Sequence, residues 1–393
     1  MDFAAIHARD AEHVANTYAR FPVAIVRGQN ARCWDESGKE YIDLTSGIGV
    51  NALGFADPRW ADAVSGQLRT LQHASNLIHT LPCIEVAEIL CARAAMKKVF
   101  FSNSGAESNE GAIKCARKFG HLRHGPACHN IVTLCQSFHG RTVTTLAATG
   151  QDSFHHQFDP FTEGFAYAPP GDIEGTLALI DKGTCAVMIE MVQGEGGVKP
   201  LDKAYAKALA DACREREILL IVDEVQTGIG RTGTLFAFEQ YGILPDIITC
   251  AKGLGGGLPF GAVLFGERCA DVLAPGDHGS TFGGNPAVSA GAKAILSRMD
   301  GAFLEDVGKK GAHARERLLA MPRVTAVDGL GLMLGASLDG VTARDAVLRG
   351  IEKGVLTLTA KDRLRLLPPL TIPWHDLNEA LDRVEKALEE AFI

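Results

Sequence analysis

The chain has 393 residues, 46% of them hydrophobic and 22% charged, with 43 Gly and 16 Pro. This is enough apolar material for a large packed core spread over about two domains, and it excludes a disordered, collagen-like or mini-protein reading. The 39 basic residues against 47 acidic ones leave a formal net charge of −8, which argues against nucleic acid as a main partner.

Met1 to Arg20 mixes Asp2, Asp10 and Glu12 with His7, Arg9 and His13, so it lacks the basic start and apolar run of a secretory signal. Residues 4–16 predict a helix, followed by short strands around 23–28, 31–35 and 41–44, the last two joined as a hairpin through Glu36-Ser37-Gly38-Lys39. From about 60 to 290, apolar runs at 97–101, 130–134, 186–191, 218–222, 247–250 and 261–265 alternate with amphipathic helical stretches that include 84–95, 107–119 and 204–216. This alternation predicts an α/β fold, a mostly parallel sheet flanked by helices. The longest apolar run, Ile218 to Val222, is strand length and no membrane span. After Asn285 come two long helical stretches, 286–299 and 302–320, then mixed short elements. In the tail, Leu377, Leu381, Val384 and Leu388 recur at helical spacing as a core-facing stripe. The expected organisation is a large domain over 51–289 and a smaller discontinuous α+β domain made of 1–50 with 290–393. The 10 Cys include Cys83, Cys91, Cys185, Cys213 and Cys250 in apolar strings, and no CxxC pair occurs; they read as reduced thiols of a cytoplasmic protein.

In an open parallel sheet, ligands bind beyond the carboxyl ends of the strands. Two such ends carry charge: the run 218–222 leads into Asp223 and Glu224, and the run 247–250 leads into Lys252 and the glycines 253–257. Alone, the Asp reads as a strand-end cap and the Lys as a surface residue. Together they match what a pyridoxal phosphate site needs: an amine for a Schiff base, and a carboxylate opposite the pyridine nitrogen. An anion seat is available where the strand 97–101 enters Ser102-Asn103-Ser104-Gly105-Ala106 and opens a helix, although an ordinary Ser N-cap would look the same. Ser137-Phe138-His139-Gly140-Arg141-Thr142 offers a flat ring and a guanidinium able to grip a carboxylate, with His139 open to a plain turn role. The glycines 253–257 lack the order of a nucleotide loop, and the pairs His121/His124 and His155/His156 come without HExxH or a Cys partner, so no metal site is expected.

These segments, in this order, resemble the class III (ω-amino acid) aminotransferases, which are fold type I pyridoxal phosphate enzymes. The likeness runs from Thr17-Tyr18-Ala19-Arg20-Phe21-Pro22 to Arg365-Leu366-Leu367-Pro368-Pro369-Leu370, and its most specific blocks are 102–117, 137–142, 193–197, 223–233 and 278–286. Within the class, the bacterial acetylornithine aminotransferases are the nearest likeness, through Ser46-Gly47-Ile48, Ser75-Asn76-Leu77 and the run 364–370. The resemblance implies that Lys252 forms the Schiff base and shuttles the proton, and that Asp223 pairs with the pyridinium. Gln226 would bond the ring's phenolic oxygen, Phe138 would stack on the ring, and Ser104, Gly105 and Ala106 would hold the phosphate. Thr281 would reach that phosphate across the interface of a homodimer with shared active sites. Arg141 would bind the α-carboxylate of acetylornithine and Arg365 that of 2-oxoglutarate, with Glu195 covering Arg365 when the amine donor is bound; Tyr18 and Asn76 would be further substrate contacts. The implied reaction carries the δ-amino group of N2-acetyl-L-ornithine to 2-oxoglutarate, a step of arginine biosynthesis. Related ω-aminotransferases use succinylornithine, N-succinyl-diaminopimelate, ornithine or 4-aminobutyrate instead. Three places depart from the usual family spelling: Gly54-Phe55-Ala56-Asp57-Pro58, Met191 after Glu190, and Leu358-Thr359-Ala360-Lys361.

Overall fold

The structure, a computed structural model, describes residues 1–389. After a helix at Phe3–His13, strands β1 (Ile25–Gln29), β2 (Arg32–Asp35) and β3 (Glu40–Asp43) form an antiparallel meander. The central sheet follows, from β4 (Lys98–Ser102), β5 (Asn130–Leu134), β6 (Phe165–Ala168) and β7 (Thr184–Ile189). A small ribbon of β8 (Val192–Gln193) and β9 (Lys199–Pro200) separates these from β10 (Leu219–Asp223), β11 (Ile247–Cys250) and β12 (Gly261–Phe265). The seven central strands lie in the order β4-β12-β11-β10-β7-β5-β6. From β11 to β6 neighbours run parallel, whereas β12 is antiparallel to both β11 and β4.

The sheet is buried on both faces, which is why its strands read as continuous apolar runs. Along β10, Leu220 and Val222 enter one core with Val187, Ile189, Ile248 and Leu264, while Leu219 and Ile221 enter the opposite core with Ala186, Met188, Ile247 and Val263. The helix Lys203–Glu215 seals the first face with Tyr205, Leu209 and Cys213; the helix Gly105–His124 seals the second with Ala112, Ile113 and Ala116. No helix among the described residues is long and apolar enough to cross a membrane.

The last third supplies the helices Pro286–Leu296, Gly301–Leu319, Ala343–Glu352 and Trp374–Glu389, and strands β13 (Val324–Leu330), β14 (Met333–Leu338), β15 (Val355–Leu356), β16 (Leu358–Ala360) and β17 (Arg363–Leu366). Strand β15 pairs with β3, joining both ends of the chain in one sheet, and β13-β14-β17-β16 form another. Leu377, Leu381, Val384 and Leu388 are buried in the main core, as their spacing predicts.

Between β3 and the large sheet, Ser46, Gly47, Ile48 and Gly49 have φ of 47°, 60°, 65° and 75°, a full left-handed turn. Two of the four are not glycine, and one is β-branched. Such a conformation persists only where its surroundings impose it.

Candidate active site

The carboxyl ends of β4, β5, β10 and β11 converge on a cavity of about 440 Å³. Its lining includes Ser104, Gly105, Ala106, Phe138, Arg141, Asp223, Gln226 and Lys252. The loop after each strand brings one function. Following β4, Ser104 caps the helix Gly105–His124 by accepting from Glu107 N at 3.2 Å. The first-turn amides of Gly105 and Ala106 have no intrahelical carbonyl to reach and mark the positive end of a 20-residue helix. A Cβ on Gly105 would come within 2.6 Å of Val225 Cγ1, so only glycine fits against that wall of the cavity.

Asp223 is buried at the end of β10, and its carboxylate is fixed from behind. Oδ2 accepts from Asn109 Nδ2 at 2.8 Å and lies 2.8 Å from His139 Nδ1, while Oδ1 accepts from Val225 N at 2.9 Å. Asn109 Nδ2 also donates to the His139 carbonyl at 2.7 Å, tying the loop after β5 to the helix Gly105–His124. Its neighbour Glu224 points the other way, into the protein. It accepts from Thr227 Oγ1 and, at 2.9 Å, from Phe238 N, and burial pushes its carboxyl up to about 7.

Lys252 follows β11 with φ of 42°, a left-handed conformation uncommon for a side-chain-bearing residue. Burial pushes its amine below the ordinary lysine range; Glu195, Asp223 and Glu190 oppose that shift and Arg365 adds to it. Such an amine is neutral at a lower pH than a free lysine and is correspondingly available as a nucleophile. Glu190, also in the lining, accepts from Phe138 N at 3.0 Å and is raised well above the carboxylate range by burial and by Asp223.

Gln226 connects the cavity to a buried ion pair. Arg365 Nη1 donates to Glu195 Oε1 at 2.6 Å and to Gln226 Oε1 at 3.4 Å, and Gln226 Nε2 donates to Glu195 Oε1 at 3.3 Å. The partners differ in exposure, 4% for the Arg365 side chain against 28% for Glu195. Burial would raise the Glu195 carboxyl, but the Arg365 guanidinium holds it below the usual range. The guanidinium is thus the buried partner of the pair and the carboxylate the more exposed one. Arg141 lies exposed at the mouth, its guanidinium 4.2 Å from the Phe154 ring centre and 5.6 Å from that of Phe138.

Three expected contacts lie elsewhere on the single chain. Tyr18 is 71% exposed, with the Arg20 guanidinium 5.6 Å from its ring centre. Asn76 donates to the carbonyls of Ser280 and Gly283 at 2.9 and 2.8 Å and, with Thr281, lines a separate groove of about 800 Å³. Leu77, Ile78, Leu81 and Phe282 stand exposed beside these residues in sequence.

Pyridoxal phosphate requires an amine, an anion seat, a carboxylate for its ring nitrogen and a flat apolar wall. One cavity lining supplies all four, and the buried donors on Asp223 leave that carboxylate aimed and satisfied. The donor set fits the group. The sequence reading did not single out Asn109, Glu190 or Val225 as site residues, and it left His139 as a possible turn residue. The signal for Asn109 was available: five residues past Ser104, it lies on the helix face that carries buried Ser108 and Ala112 toward the sheet.

A family model for class III aminotransferases matches residues 13–388. An acetylornithine aminotransferase of Haemophilus ducreyi is 49% identical over 383 residues, covering 97% of this chain and 98% of that protein. Among solved structures, an N-acetylornithine aminotransferase from Stenotrophomonas maltophilia superposes with a TM-score of 0.83 at 33% identity, over 97% of this chain and 98% of that one. An ornithine aminotransferase from Toxoplasma gondii reaches 0.95 at 31% identity, over 99% and 95%.

Proposed function

This chain belongs to the class III aminotransferases, and from that premise we propose that it transfers the δ-amino group of N2-acetyl-L-ornithine to 2-oxoglutarate, giving N-acetyl-L-glutamate 5-semialdehyde and L-glutamate. The observation that carries the reading is the Glu195–Arg365 pair at 2.6 Å beside a cavity that holds Lys252 and Asp223, with Arg141 exposed at its mouth. One pocket must accept an uncharged methylene chain beside a reacting amine and later a second carboxylate. A buried guanidinium with a partly exposed carboxylate cover meets both demands. The 49% identity with an acetylornithine aminotransferase supports the choice of donor.

Pyridoxal 5′-phosphate, when bound, supplies an aldehyde that joins to amines and a pyridinium ring that withdraws electrons from the carbon bearing them. Ser104, Gly105 and Ala106 would hold its phosphate, Phe138 its ring face, Gln226 its phenolic oxygen and Asp223 its ring nitrogen. Lys252 Nζ, shifted by burial toward its neutral form, would accept the proton from the donor's δ-carbon and deliver it to the cofactor's C4′. Asp223, oriented by Asn109 and His139, would set its carboxylate opposite the ring nitrogen. Arg141 binds the donor's α-carboxylate, and Arg365 binds that of the keto acid once Glu195 turns aside. Tyr18 and Asn76 are assigned as additional substrate contacts.

Thr281 lines a groove outside the cavity together with Leu77, and Ile78, Leu81 and Phe282, close to these two in sequence, are exposed. A patch of that kind suits a self-complementary interface, and we read the enzyme as a homodimer in which Thr281 of one copy completes the phosphate seat of the other. The β3–β15 pairing supports the division into a large unit, 51–289, and a small one, 1–50 with 290–393. The same reading puts the reaction in the cytoplasm, where the 10 thiols stay reduced.

The donor is tested by kcat/KM for N-acetylornithine, N-succinylornithine, N-succinyl-diaminopimelate, ornithine and 4-aminobutyrate with 2-oxoglutarate as acceptor. N-acetylornithine is expected to lead ornithine and 4-aminobutyrate by at least about tenfold, a difference within reach of one well-filled subsite. The TM-score of 0.95 with an ornithine aminotransferase makes ornithine the specific rival, and equal or better turnover of it would displace the acetylated donor.

A further inference from the structure

Among the buried charges of the described residues to which the mechanism above gives no task is Arg231. Arg231 is 2% exposed, and its Nη1 donates to two main-chain carbonyls, Leu332 at 3.0 Å and Pro368 at 2.5 Å. Its own carbonyl accepts from Leu332 N at 3.0 Å, so Leu332 is gripped through both of its backbone groups. The packing leaves no slack: a Cβ on Gly331 would come within 2.5 Å of the Thr232 carbonyl carbon. Pro368 lies three residues beyond Arg365, and between them Leu367 N donates to the Leu44 carbonyl at 2.7 Å.

Leu44 lies two residues before the left-handed turn Ser46–Gly49. Asp43, 1% exposed, holds its entrance by accepting from Thr45 N at 2.8 Å and Ser46 N at 3.1 Å. Asp43 and Arg231 act on one another electrostatically without direct contact, and Gly49 packs toward the guanidinium, a Cβ there falling 4.0 Å from Nε. The turn ends at Val50, which lines the active-site cavity. Arg231 therefore stands where the strand bearing Arg365 meets the strained turn that edges the site.

Stability alone does not explain the choice of residue. Arg231 Nη2 has no hydrogen-bond partner among the described residues, and an incompletely satisfied buried charge is often no more stable than an apolar side chain of similar size. What the guanidinium does provide is one nitrogen, Nη1, shared between two carbonyls and held at the end of a rigid plane, where a lysine amine would swing on a flexible stem.

We propose that Arg231 is a positioning residue: by clamping Leu332 and Pro368 against the turn after Asp43, it sets the placement of Arg365 and hence the affinity of the site for a dicarboxylate acceptor. This rests on the reading of Arg365 as the acceptor's carboxylate partner.

The test uses cofactor-loaded wild type, R231K, R231M, R365K and the double variant R231K/R365K. Glutarate, a dicarboxylate without the reacting keto group, is titrated calorimetrically; the single-turnover step with N-acetylornithine alone and the melting temperature are measured in parallel. R231K and R231M are expected to weaken glutarate about tenfold while the donor step stays within about twofold of wild type, and R231K/R365K to bind no more weakly than R365K, because one residue acts through the other. Wild-type glutarate affinity in R231K and R231M overturns the proposal. So does a parallel fall of glutarate affinity, donor step and melting temperature, the signature of a purely structural role. If neither Arg231 variant folds, D43N takes their place: it releases the turn, is expected to show the same selective loss, and overturns the proposal if glutarate binds as in wild type. The proposed function fails on different results. A wild type that ignores N-acetylornithine removes the donor but leaves the glutarate comparison decisive for Arg231; glutarate affinity unchanged in R365K removes the acceptor reading, and the Arg231 proposal with it.

Discussion

Lys252→Ala is expected to lower turnover by about 10⁴-fold or more while the protein keeps its fold, since the variant loses both the covalent attachment and the proton carrier at one atom. The cavity walls come from four strand ends, and the loops that form them are held by backbone and side-chain bonds of Ser104, Asn109 and Asp223. Removing a side chain from a left-handed position also relieves little packing and adds little strain. Turnover within tenfold of wild type would remove Lys252 from the chemistry. The charges around the amine set a second, directional result, read from the pH at which cofactor-free protein captures pyridoxal phosphate. Capture needs the neutral amine, whose titration burial has already moved downward. Glu195→Gln removes the first charge opposing that shift, so its capture midpoint is expected at lower pH than wild type; Arg365→Gln removes a charge that assists it, so its midpoint is expected at higher pH. Shifts of the opposite sign would contradict the electrostatic arrangement.

Asp223→Asn is expected to cost about 10²- to 10³-fold in kcat with the cofactor still bound, the scale associated with losing one preorganised electrostatic partner. The substitution is nearly isosteric, but it exchanges an all-acceptor carboxylate for a group with two donors. Oδ2 already faces two nitrogens, Asn109 Nδ2 and His139 Nδ1 at 2.8 Å each, so an amide there must turn its oxygen toward them and its NH₂ toward Val225 N or the cavity. Either arrangement places a donor where a carboxylate is needed. His139→Ala alone should cost less, and in the Asp223→Asn background it should cost almost nothing more, because His139 acts through the carboxylate. Fully additive losses in kcat would show that His139 has a separate function.

Much of this site is legible in the chain because its strands end in chemistry. The stretches expected at 130–134, 247–250 and 261–265 coincide with β5, β11 and β12, and the charged residues directly after β10 and β11 do meet in one cavity. The reversal of β12 is not read from hydrophobic alternation, which is blind to strand direction. Its cue is the short link, ten residues from Ala251 to Phe260 with only a brief 3-10 turn, where a parallel return asks for a longer crossover. Asn109, Glu190 and Arg231 are harder to see because their value lies in partners distant in sequence: Asn109 meets Asp223 across 114 positions, and Arg231 meets Pro368 across 137. A buried polar residue in an apolar stretch signals that some partner exists, without saying which. The left-handed run at Ser46–Gly49 is similarly silent, since Ser and Ile at two of its positions carry none of the usual preference for positive φ.

The most direct measurement is the visible absorption spectrum of the purified protein loaded with pyridoxal phosphate, recorded before and after N-acetylornithine and again after 2-oxoglutarate. The expected result is loss of the band characteristic of the lysine-bound cofactor with the first addition and its return with the second, with no return when the keto acid is added to Arg365→Gln at the same concentration. A spectrum unmoved by N-acetylornithine, in wild type whose band shows the cofactor in place, would contradict the proposed reaction.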